Sequence, residues 1–169
     1  MTSSPIRRAP DGRFKLSLSP EERDLLAGLA PRMREVFADS EDPVLQRLLP
    51  VAYPDDADRQ TEYRLLVQDE LMESQLGALA VLEETAGADD LDEEQVLAWM
   101  RAINQVRLVM GSRLGVSEDG SENPTSTDDP RLPAFAVYHY LSELQDDIVG
   151  ELSAGEGPGD GAERDAGEI

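Results

Sequence analysis

The stretch LDEEQVLAWMRAINQVRLVMGSRLG, residues 91–115, constrains what the rest of the chain can be. Asp92 is placed to cap a helix, Gln95 closes a capping box three residues on, and Leu91 can staple onto Val96. No proline intervenes before Gly115, so the pattern predicts one helix of roughly 23 residues, about 35 Å long. At about 100° per residue, Val96, Trp99, Met100, Ile103, Val106, Met110 and Leu114 share one broad face. Other helices must cover a face that wide. Trp99, Ile103 and Met110 are therefore core residues on the central helix of a bundle.

The same segment carries three arginines and, after Glu94, no carboxylate. Arg101, Arg107 and Arg113 are each rotated by about 240° from the last, so they point three different ways. A surface that tracks phosphates needs its cations on one face. Arg107 is the odd one, because it falls inside the apolar stripe. A guanidinium there needs carboxylates or carbonyls around it, or else it snorkels to solvent from a bundle edge. The expectation is an internal ion pair with Asp55 or Asp56 of the AYPDD loop, with Glu62 next. Asn104, on the flank of the same helix, would bond that loop too.

The remaining segments supply the other layers. In PIRRAPDGRFKLSLS, Phe14, Leu16 and Leu18 alternate with polar residues, and Pro10-Asp11-Gly12 is turn chemistry. Residues 1–18 read as a small N-terminal β-hairpin or strand that must dock on the helices. Ser19, Pro20 and Glu22 start a second helix with a capping box. Its stripe of Leu25, Leu29, Met33 and Val36 runs through Pro31, where a kink or break is expected. Asp42 and Pro43 open a short helix that ends before Pro50. A long helix over about 59–85 follows, with Leu65, Met72, Leu76 and Leu79 on one stripe and Gly87 at its end. A last helix, about 132–152, places Val137, Leu141, Leu144, Ile148 and Leu152 on one face. Leu141, Leu144 and Ile148 join the core. The fold class is mainly α: a bundle of about five helices over 19–152, with a small β appendage. Residues 116–130 hold five acids and no base and read as a mobile loop. Residues 153–169 read as a disordered acidic tail.

Composition narrows the function. The net charge is −21, and arginine supplies 14 of the 15 basic residues. The absence of cysteine excludes disulfides and zinc-thiolate sites. A single histidine, His139, excludes a carboxylate-bridged di-iron bundle. No apolar run approaches the roughly 20 residues of a membrane span, and MTSSPIRRAP lacks the apolar core of a signal peptide. The expectation is a soluble, cytoplasmic protein.

Nothing in the chain reads as catalytic. The acidic pairs Glu21-Glu22, Glu83-Glu84, Asp89-Asp90 and Glu93-Glu94 mostly sit at helix starts, where acids suit the dipole. Only Asp55-Asp56 lies in a proline-constrained loop, and a structural role outweighs acid/base or metal chemistry there. His139 falls on a polar face with no nucleophile beside it. No cofactor is expected. Direct DNA binding is disfavoured, because residues 19–115 carry 21 acids against nine bases. An acidic surface favours basic protein partners instead. Broad apolar faces on both long helices leave room for a homodimer.

Taken in order, LSPEERDLL, DPVLQRLLPVAYPDD, EYRLL, AWMRAINQVRLVMGSRLGV and YHYLSELQDDIV resemble the AosR-like family of actinobacterial proteins over about residues 14–152. The resemblance implies a small, helical, cytoplasmic protein that is not an enzyme. It further implies a transcriptional regulator of the oxidative-stress response, acting with a sigma factor or another transcription protein. Gene neighbourhood in the family gives the alternative, an accessory to Clp-dependent proteolysis that binds a Clp adaptor or chaperone. Any thiol-based sensing ascribed to the family has no counterpart in a chain without cysteine.

Overall fold

The computed structural model describes residues 3–39, 41–48, 51–116 and 123–155. Two short strands, β1 (Ile6–Arg8) and β2 (Phe14–Leu16), precede helices α1 (Pro20–Ala38), α2 (Pro43–Leu48) and α3 (Ala57–Thr85). A two-residue strand β3 (Asp90–Leu91) leads into α4 (Glu93–Leu114), and α5 (Leu132–Gly155) closes the bundle. Residues 117–122 of the expected mobile loop, and 156–169 of the expected disordered tail, lie outside the described residues.

Side chains set the helix ends. Ser19 Oγ accepts from the Glu22 amide at 3.2 Å while the Glu22 carboxylate accepts from the Ser19 amide at 2.7 Å. Asp92 and Gln95 make the same reciprocal pair at the start of α4, at 2.8 and 2.9 Å. Each box satisfies two amides that a helix start otherwise leaves without partners. Gly115 ends α4 in the left-handed region, φ 68°, a conformation that costs glycine nothing.

The expected break before Pro31 does not occur, and α1 is one helix through it. Pro31 lies on the exposed side, so the one backbone bond it removes is lost where water can replace it.

The N-terminal hairpin belongs to a three-stranded antiparallel sheet in the order β1-β2-β3. Ile6 pairs with Leu16 and Phe14 with Leu91. Ile6, Phe14 and Leu91 are fully buried, so the sheet's inner face is part of the bundle core. Trp99, Ile103, Leu141, Leu144 and Ile148 are buried in that same core, and Met110 packs half-buried against it. Each large aliphatic so placed contributes about 1.5–3 kcal/mol.

The stripe on α3 is covered only at its C-terminal end. Leu79 and Leu82 are fully buried, yet Leu65 is 68% exposed. Helix α3, at 29 residues, is seven longer than α4, its neighbour across a short turn, at 22. The excess is about 10 Å of helix, and it falls at the N-terminal end of α3.

Candidate functional site

Arg107 projects from α4 toward α5, not toward the 51–56 loop. Its Nε donates to Ser142 Oγ at 3.0 Å and Nη1 donates to Gln145 Oε1 at 2.8 Å. The Ser142 hydroxyl in turn donates to the Tyr138 carbonyl at 2.9 Å. The guanidinium also lies over the Tyr138 ring, 5.7 Å from its centroid. The expected ion pair with Asp55, Asp56 or Glu62 is therefore corrected: the partners are neutral oxygens on another helix. Arg107 is half-buried, so its charge keeps contact with water and needs no buried carboxylate.

The loop before α3 is held from within. Gln60 Oε1 accepts from the Ala52 and Tyr53 amides at 2.9 and 2.8 Å, and the Tyr53 ring meets Tyr63 edge-on. Asp56 caps α3, accepting from the Arg59 amide at 3.1 Å. Asp55 and Glu62 are exposed, and no hydrogen bond among the described residues joins the half-buried Asn104 to this loop. Arg101 stays in solvent, while Arg113 reaches Asp42 at 2.8 Å and ties α4 to the start of α2.

Basic side chains secure the N-terminal sheet. The Arg8 amide donates to Glu151 on α5 at 2.7 Å, and its guanidinium reaches Glu93 at 3.3 Å. Arg13 and Lys15 share Asp90. Hydrogen bonds from Arg13 and then from Lys15 hold the Asp90 carboxyl below the ordinary aspartate range. Arg23 Nε donates to the Leu18 carbonyl at 3.3 Å, and Nη1 donates to the Ala86 and Ala88 carbonyls at 3.2 and 2.5 Å. One guanidinium thus staples the end of the β2 segment to the α3–β3 turn. The sequence pattern did not single out Arg23 or Gln60, since neither interrupts a helical period.

Two of the recesses in the surface bear on function. An apolar one of about 330 Å³ lies between α1, α4 and α5, lined by Met33, Val36, Val106, Met110 and Val137. A larger acidic one, about 670 Å³, is lined by Glu22, Tyr140, Glu143, Asp146 and Asp147. Burial pushes the Tyr140 phenol up, and the Glu22 carboxylate pushes it the same way. His139 is exposed and stacks on Phe135. Among the described residues no three acidic or histidine side chains converge as a metal site.

The chain matches the family described as Domain of unknown function (DUF2017) over residues 3–152. It is 29% identical to proteins named Oxidative stress regulator AosR from Mycobacterium bovis and Mycobacterium tuberculosis, across 81% of each chain. The chain belongs to the AosR-like family. A Mycobacterium leprae protein that also carries the AosR name is 32% identical over 68% of this chain and 60% of its own. No solved structure matches.

In this AosR-like protein many of the cations are paired with the chain's own carboxylates. Arg8, Arg13, Lys15, Arg23, Arg34, Arg59, Arg113 and Arg131 are all in ion pairs within the chain. Three of the four bases behind the hairpin's local +3 in the sequence are paired with Asp90 and Glu93. The unpaired excess is acidic. No helix among the described residues is long and apolar enough to cross a membrane.

Proposed function

We propose that this AosR-like protein is a non-enzymatic, cytoplasmic regulator of the oxidative-stress response that acts on transcription through protein partners. The observation that carries this reading is the distribution of charge. Among the described residues, eight basic side chains are engaged by the chain's own carboxylates, and the charge in surplus is acidic. Such a surface attracts a basic patch and repels a phosphate backbone. A sigma factor or an RNA polymerase subunit is the partner class that fits, and the names of the relatives point to the same response.

The test is capture of partners from an actinobacterial lysate on the immobilised protein, at low and at high salt, read by mass spectrometry. The expected result is a transcription protein at low salt that is depleted at high salt, as steering by exposed charges requires. Recovery of no transcription protein at either salt would overturn the reading. Recovery of a Clp adaptor or chaperone in its place would move the function to proteolysis.

A further inference from the structure

Resting on the partner-binding reading above, we propose that the outward face of α3 around Leu65 and Leu66 docks a basic amphipathic helix of another protein. These adjacent leucines are 68% and 78% exposed. Both stand on the N-terminal half of α3, where no residue is buried. Two neighbouring leucines presented on a helix make an apolar anchor only when their surroundings select an occupant. Here the surroundings do.

Glu62, Asp69, Glu70 and Glu73 lie one turn or two to either side of the leucines, at spacings that place all six residues on one helical face. All four acids are exposed. The two bases of this part of α3 are off that face or engaged. Arg59 is paired with Asp56 and stacked on Tyr53, and Arg64 is half-buried on the opposite side. The result is an apolar centre ringed by carboxylates. A second copy of the chain would set this ring against itself, and like charges in apposition are repelled. A helix with a leucine-type stripe and arginine or lysine flanks satisfies both the centre and the ring.

The probe is a synthetic fluorescein-labelled peptide about five helical turns long, with leucines on one face and arginines elsewhere. A peptide of the same composition with its leucines scrambled is the control. Fluorescence anisotropy with the full chain should give at least about tenfold tighter binding of the one-faced peptide. The double variant Leu65→Ser/Leu66→Ser should lose that preference while its thermal melt stays unchanged, because both side chains are exposed. Neutralising the ring with Glu62→Gln, Asp69→Asn, Glu70→Gln and Glu73→Gln should weaken binding at low salt and flatten its salt dependence. Equal binding of the scrambled peptide, or full binding by the double variant, would overturn the proposal. So would a dimer in sedimentation that the double variant abolishes, since that gives the face to a second copy. Lysate capture with the double variant separates the two readings. If it still recovers a transcription protein, the surface is wrong and the function stands. If the peptide behaves as expected but no transcription protein is captured by the unsubstituted chain, the surface stands and the function falls.

Discussion

The guanidinium of Arg107 crosses from α4 to α5 and donates to the amide oxygen of Gln145 at 2.8 Å. Its partners there are neutral, so what it supplies is orientation of two helices, with the charge left half in water. Arg107→Met keeps the apolar stem and removes both donors. It should cost about 1–2 kcal/mol, the worth of hydrogen bonds from a charged group discounted for exposure. Asp55→Asn should be neutral in the same urea titration. Asp56→Ala should cost about 1 kcal/mol through the lost cap alone, and the Arg107→Met and Asp56→Ala effects should simply add. Coupling between those two sites would show that they are linked after all.

Trp99 is fully buried, and its indole N–H donates to Thr85 Oγ1 at 2.7 Å. Thr85→Val preserves the shape and strips the acceptor. The stranded donor should cost about 1–3 kcal/mol, read as a lower melting temperature. Trp99 is the protein's single tryptophan, so its emission reports the site directly. An unchanged melt would mean that the indole finds another acceptor.

Gly111 lies beneath Tyr138, where an added Cβ would sit 3.4 Å from the ring. That is contact without overlap. Gly111→Ala should therefore keep the helix-propensity gain and stabilise by roughly 0.5–1 kcal/mol. Gly111→Leu has no room and should destabilise by about 1–3 kcal/mol. Chemical denaturation of both variants checks the opposite signs; two losses would mean a tighter α4–α5 seam.

Asp90 has its pKa lowered in the folded state by Arg13 and Lys15. A depressed carboxylate adds stability above its unfolded value, about 3.9, and loses it as pH falls through the folded one. Melting temperatures of the natural chain and Asp90→Asn should differ at neutral pH and converge on acidification below about pH 4. A gap that persists unchanged into acid would remove Asp90 as the cause.

The helix starts were legible because a capping box is local: Ser19 with Glu22 and Asp92 with Gln95 need only each other. Gly115 was legible for the same reason. The third strand was not, because Asp90 and Leu91 are two residues whose strand character exists only beside Phe14 and Lys15. The Arg107 stripe position was read from the helical period, but its partners were not. Ser142 and Gln145 are neutral acceptors more than thirty positions away, and a search for carboxylates passes them by. The α3 stripe failed at Leu65 for a geometric reason. Periodicity says which way a side chain faces, and tertiary packing, here confined to the C-terminal end of α3, decides whether anything faces it back.

The bond between the Arg8 amide and Glu151 spans 143 residues of chain. During synthesis the first strand leaves the ribosome long before its anchor does. The nascent chain can pair β1 with β2 and close the α3–α4 hairpin early, but the bond from the Arg8 amide to Glu151 forms only once α5 has been made. A shortened product missing the last turns of α5 would keep the pairing of Ile6 with Leu16 and lose the tie between the sheet's outer strand and the closing helix.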